Sequence, residues 1–234
     1  MTMLKLAVPS KGRLQAQCFD WFARRGITLE RTGAGREYAG QVRGVENVAL
    51  VLLSAGEIPR ELAAGRIHMG VTGQDLIAEK IPAWESRVEQ LAPMGFGRAA
   101  LILAVPQFWA DVESIDDLDA AAAAFRKAHG MRLRIATKYH NLVREYLRAE
   151  GVADYQLVDS QGATEGTIKN LTAEAIADIT STGDTLKANH LKILSGPPIL
   201  ASEATLFASR AGPWGAKAEA ARREILAKIG AHDA

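Results

Sequence analysis

"LKLAVPSKGRLQAQCFDWFARRG", residues 4–26, is the stretch whose reading decides the fold class. Its first five residues, "LKLAV", are strand-like. After a proline and a short loop, Leu14, Cys18, Trp21 and Phe22 recur on one helical face, and Gly26 is a stop signal. The same strand, loop, helix alternation returns with "VALVLL" (48–53), a helix near 58–64, "IHMGVTG" (67–73) and "QDLIAEKI". Short, nearly all-apolar strands separated by helices predict a mostly parallel sheet covered on both faces.

After "MGFGRAALILAVP" (94–106) a second α/β set follows. It contains the acidic, alanine-rich helix "SIDDLDAAAAAFRKAHG", strand "RLRIA", helix "YHNLVREYLRAEG", strand "YQLVD" and strand "EAIADI". The lobe boundary is expected near Met94 to Arg98, where two glycines interrupt both periodicities and could serve as a hinge. Helix propensity accounts for the alanines at 120–124, and "GAKAEAARREILAKIG" reads as a final amphipathic helix.

The 234 residues are 48% hydrophobic and 24% charged, an ordinary globular composition. Lys plus Arg number 28 against 27 Asp plus Glu, so no global field exists to hold nucleic acid or an anionic membrane. An anion must be caught by a local constellation, which points to a small charged ligand. The single cysteine, Cys18, excludes an internal disulfide, and the N-terminal apolar run is broken too soon for a secretory signal. No stretch approaches a membrane span, and the expectation is a soluble cytoplasmic protein.

"ADITSTGDTLKAN" (177–189) carries the chemistry. Asp178 closes an apolar run, where a carboxylate can accept hydrogen bonds from vicinal sugar hydroxyls. Ser181, Thr182, Gly183, Asp184 and Thr185 then form a run of hydroxyls and backbone amides at a helix N-terminus, suited to phosphate. The same string is equally good N-capping chemistry. "PSKGRL" places Lys11, Gly12 and Arg13 at a second strand-to-helix turn, where two cations oppose the helix dipole unless an anion lies between them. A solvated surface pair is the alternative. Arg36 and Arg43 flank "EYAGQV"; either could reach a cleft, and Arg43 is assigned to an edge hairpin. Thr72, Gly73 and Asp75 in "GVTGQDL" line the cleft or cap a helix, and capping is the simpler reading. Lys138 stands at a fourth such turn, in "ATKYHNL". Neither "GxxxxGK[ST]" nor a "GxGxxG" after a strand occurs, the histidines are dispersed without a metal-site pair, and Cys18 reads as a small hydrophobe.

Taken together, "LAVPSKGRL", "MGVTGQDLI", "RIATKYHNLVREYL" and "ADITSTGDTLKAN" resemble the ATP phosphoribosyltransferase family of histidine biosynthesis in its short form, in the family's order from about residue 4 to about residue 194. The resemblance implies two α/β lobes similar to type II periplasmic binding proteins, with the active site in the cleft between them. Residues 1–96, completed by 187–234, are expected to form one lobe and 97–186 the other. The resemblance also implies that the phosphate of phosphoribosyl pyrophosphate rests on residues 181–185 and its ribose on Asp178. Lys11, Arg13 and Arg36 would face the pyrophosphate and triphosphate, and adenine N1 of ATP would attack the anomeric carbon. Magnesium would be held mainly by substrate phosphates, with no metal site on the protein itself. A homodimer assembling with a regulatory subunit similar to histidyl-tRNA synthetase is expected, with no nucleic acid or membrane partner.

Three departures from the family pattern stand out. Ser54 occupies a position where the family often has arginine, a role Arg36 or Arg43 could fill. Glu165 in "GATEG" matches an upstream acid only weakly, because the glycine usual six residues later is Leu171. The long form's regulatory domain is not expected in a chain of this length. Two competing readings are a binding protein that captures a phosphosugar or nucleotide without chemistry, and an inactive subunit that has kept the scaffold.

Overall fold

The computed structural model describes residues 3–32, 39–160, 162–211 and 214–230. Arg36 lies outside them. The chain forms two units, Met1–Gly97 with Glu203–Ala234, and Arg98–Ser202.

In the first unit the order is β1 (Leu4–Pro9), α1 (Gly12–Ala23), β2 (Thr28–Arg31), β3 (Ala39–Arg43), β4 (Val48–Leu53), α2 (Ile58–Ala63), β5 (Met69–Gly73), α3 (Gln74–Lys80) and β6 (Val88–Pro93). The second unit contributes β7 (Ala99–Pro106), α4 (Ile115–His129), β8 (Leu133–Thr137), α5 (His140–Ala149) and β9 (Tyr155–Asp159). It continues with α6 (Gly166–Lys169), β10 (Ala175–Thr180), α7 (Asp184–Ala188), β11 (Leu191–Ile193) and β12 (Leu200–Ser202). The chain then returns to the first unit as β13 (Ala204–Ser209) and α8 (Ala216–Ile229).

The first sheet runs β2-β3-β4-β1-β5-β13-β6. Its two faces follow from the period-2 alternation of β1. Leu4, Leu6 and Val8 pack with Trp21 and Phe22 of α1 and with Ala218, Ala221 and Ile225 of α8. Ala7 points the other way, into a cluster with Ile58 and Leu62 of α2 and Ile77 of α3. Each fully buried Leu or Phe contributes about 1.5–3 kcal/mol by area, and helices on both faces are what such an apolar strand requires. Cys18 is wholly buried in this core, and burial pushes its thiol pKa up to about 12, the state of an inert hydrophobe. His68, just before β5, accepts the Lys5 N–H at Nδ1 (2.9 Å) and meets Trp214 edge to face at 5.1 Å.

The second sheet runs β11-β7-β10-β8-β9, with β12 also on β7. α4 carries a capping box at its start: Ser114 Oγ accepts the Asp117 N–H, while the Asp117 carboxylate accepts the Ser114 N–H.

Two expectations need correction. The sheets are mixed rather than mostly parallel: β4-β1-β5 and β10-β8-β9 are parallel, whereas β2, β3, β6, β7, β11, β12 and β13 all pair antiparallel. Parallel neighbours need a crossover connection, whereas β7, which enters the second unit, and β13, which leaves it, run against their neighbours. The second correction concerns the return to the first unit, which comes at Glu203 and not at residue 187, because β11 and β12 both pair with β7.

Candidate active site

Parallel strands deliver their following loops to one edge of a sheet. In the first unit β4, β1 and β5 end at Leu53, Pro9 and Gly73. Ser54, the segment Lys11 to Arg13, and Asp75 therefore emerge on one carboxyl edge, with β1 at the point where the strand order reverses. Lys11 precedes α1 in extended conformation without capping it, and no acid occupies the helix's first turn. Gly12 has φ +78°, which lets the chain turn sharply from strand to helix while Lys11 and Arg13 stay exposed.

The neighbouring loop is tied down. Ser54 donates through its amide and hydroxyl to Glu57 Oε2 at 2.9 and 2.7 Å, which holds the Glu57 carboxyl below its usual pKa. The next two residues are fixed as well: Ala55 O accepts the Thr72 hydroxyl (2.8 Å), and Gly56 O accepts Lys80 Nζ (2.8 Å). Thr72 is fully buried, and its hydroxyl braces this loop. Asp75 is nearly as buried, in the first turn of α3, and Gly73 stands at that helix's N-cap. Arg43 pairs with Glu30 at 2.9 Å on the β2–β3 hairpin, as the edge assignment expects.

In the second unit β8, β9 and β10 end at Thr137, Asp159 and Thr180, and β8 marks the reversal. The loops on this edge carry Lys138, Glu165 and residues 181–185. Asp178, 18% exposed, receives Lys138 Nζ at 3.6 Å and the Ile179 N–H at 2.7 Å. The lysine ammonium also stands 5.2 Å from the Tyr139 ring centroid. Gly183 has φ +78°, and its N–H donates to Thr180 Oγ1 at 3.0 Å, closing the turn. Thr182 Oγ1 donates to Asp184 Oδ2 at 2.7 Å. The Ser181 and Thr182 N–H groups have no partner among the described residues. α7 is a single turn long, so its dipole is weak and the loop's affinity for an anion rests on individual N–H and hydroxyl groups. Glu165 is half-buried at the start of α6, and the structure records no contact between it and Asp178.

Sequence reasoning missed two supporting residues. Thr180 holds the turn before α7 through the Gly183 N–H, and buried Thr137 accepts the Tyr139 N–H at 2.9 Å, setting the turn that carries Lys138. In both cases the signal was a threonine two or three residues before the amide it serves.

Two α/β units, each with polar or cationic loops at the carboxyl edge of a mixed sheet, define the class: a scaffold with the solute-binding-protein fold. The alkanesulfonate-binding protein SsuA from Xanthomonas axonopodis pv. citri shares the fold at TM-score 0.54 and 12% identity, over 98% of this chain and 72% of that one. The ATP phosphoribosyl transferase (HisG:HisZ) complex from Thermotoga maritima shares it at TM-score 0.72 and 24% identity, over 97% and 96%. In sequence, the ATP phosphoribosyltransferase of Cereibacter sphaeroides is 70% identical over 211 residues, 90% of this chain and 89% of that protein. A family model described as ATP phosphoribosyltransferase matches residues 54–230. The chain belongs to the ATP phosphoribosyltransferase family, the transferases of the first step of histidine biosynthesis.

Proposed function

We propose that the second unit seats phosphoribosyl pyrophosphate, with its 5-phosphate on the N–H and hydroxyl groups of Ser181 to Thr185 and its ribose hydroxyls on Asp178. The observation that carries this reading is the pairing of Lys138 with Asp178 beside a turn in which the Ser181 and Thr182 N–H groups have no partner among the described residues. Lys138 neutralises the carboxylate until sugar hydroxyls replace it, and the ammonium then remains beside an anionic ligand. Lys11 and Arg13 serve the departing pyrophosphate. As the glycosidic bond to pyrophosphate lengthens, negative charge gathers on the leaving oxygens while the anomeric carbon takes on oxocarbenium character. Adenine N1 of ATP attacks that carbon. Preorganised cations act on the charge that develops, and each can lower the barrier by about 3 kcal/mol. Holding the two substrates in line supplies the rest without a covalent nucleophile.

Magnesium fits this donor set as a companion of the substrates. Among the described residues no group of three His, Cys, Asp or Glu converges, so phosphate oxygens and water would supply most of its ligands. Bound there, it would neutralise pyrophosphate charge. The reading also includes a regulatory partner subunit similar to histidyl-tRNA synthetase, and work in the cytoplasm, where ATP and phosphoribosyl pyrophosphate are made. No helix among the described residues is long and apolar enough to cross a membrane.

The test is an assay with ATP, phosphoribosyl pyrophosphate and magnesium that follows the adduct's ultraviolet absorbance, with and without a regulatory subunit. Turnover is expected in at least one arrangement; none in either would leave a binding protein without chemistry.

A further inference from the structure

We propose that the open edge of the second sheet, β9 with the arginines beside it, docks an acidic extended segment of a partner chain as an added strand. β9 is last in the order β11-β7-β10-β8-β9, so one side of it has no strand partner among the described residues. None of its five residues is buried. A row of unpaired backbone donors and acceptors is a template for another strand.

The side chains beside this edge determine what can approach it. A groove of about 550 Å³ is lined by Arg132, Arg144 and Arg148 together with Tyr155 and Leu157. All three arginines are exposed, and none has an ion-pair partner among the described residues. Of the nearby carboxylates, Asp154 pairs with Arg126 and Asp159 with His140 Nε2 at 3.2 Å, while Glu145 shares the outer surface of α5 with Arg144 and Arg148, leaving the arginines in excess. Arg144 and Arg148 are four residues apart on α5, a like-charge spacing that weakens a helix and that an anion would relieve. A second copy of the same edge would bring two sets of arginines close together, which disfavours self-pairing. A strand bearing Glu or Asp at alternate positions meets those charges on one face while its backbone continues the ladder from β9.

The probe is an end-blocked peptide of about ten residues, the length of a long strand, with alternating Glu and Val. Its controls are the same peptide N-methylated along one backbone edge and a Lys-Val counterpart. The full chain is followed by fluorescence anisotropy and by amide hydrogen exchange. Binding of the acidic peptide with slowed exchange at residues 155–159 is expected, and neither control should reproduce it. An Arg144→Glu/Arg148→Glu variant, or Arg144→Gln/Arg148→Gln if the first melts early, should bind at least about tenfold more weakly. The proposal is overturned if exchange at 155–159 does not change, if the methylated peptide binds equally well, or if the variants keep full affinity. The arginines would then serve only to keep other strands off the edge. Concentration-dependent dimers formed through residues 155–159 would also overturn it.

Discussion

Asp178 and Lys138 are 40 residues apart in sequence, yet their charges meet at 3.6 Å. If the carboxylate receives ribose hydroxyls, Asp178→Asn keeps the shape but loses the charge-assisted hydrogen bonds. Phosphoribosyl pyrophosphate should then raise the melting temperature of Asp178→Asn less than that of the parent chain, and a tenfold loss of affinity removes about 1.4 kcal/mol of ligand stabilisation. Undiminished protection would show that the ribose sits elsewhere. His68 gives a different test. Burial, and then the nearby Lys5 charge, lower its pKa from the ordinary 6.5, so the unfolded chain binds a proton that the folded chain resists. That contribution to stability is present above pH 6.5 and is lost as pH falls towards the depressed folded value. Melting curves between about pH 7.5 and about pH 5 should therefore drop more steeply for the parent chain than for His68→Asn. Single side chains were legible when their setting was local: Gly183 in a turn, Cys18 on an apolar face; Asp178, read as the end of its strand, lies inside β10, which continues to Thr180. The Lys138 to Asp178 pair was not legible, because strand order brings these residues together and the spacing of neither reports it.

At the scale of elements, the turn between β10 and α7 depends on Gly183 in the left-handed region. A Cβ there would meet only Ile193 Cδ1, at 3.7 Å, so substitution strains the backbone without a clash. Gly183→Ala should cost about 1–2 kcal/mol in stability, and the displaced amides should weaken protection by phosphoribosyl pyrophosphate by more than the stability change alone. Denaturant melts with and without ligand separate the two effects. Strands and helices linked by crossovers could be read because their periods of 2 and 3.6 alternate cleanly, as from β1 to α1 and from β8 to α5. β13, "ATLFAS", was not read as a strand, since no helix follows closely and its partners β5 and β6 lie more than a hundred residues earlier. β11 and β12, three residues each, carry too little pattern to register, which is why the return to the first unit was expected too early.

At the scale of the molecule, residues 181–185, proposed to seat the phosphoribosyl group, belong to one unit and Lys11 and Arg13 to the other. The two sets of residues should therefore fail differently when altered. Lys11→Ala is expected to lower kcat by about a hundredfold, as losing a charge-stabilising group does, while melting protection by phosphoribosyl pyrophosphate stays near the parent value. A loss confined to KM would remove Lys11 from the transition state. The most direct test of the whole account is a crystal of this chain soaked in phosphoribosyl pyrophosphate and magnesium. Density for the 5-phosphate on the amides of residues 181–185, with ribose hydroxyls within hydrogen-bond reach of Asp178 and Lys138 withdrawn from it, is the predicted result. A pentose phosphate ordered anywhere else, with the Lys138 to Asp178 pair intact, would contradict it.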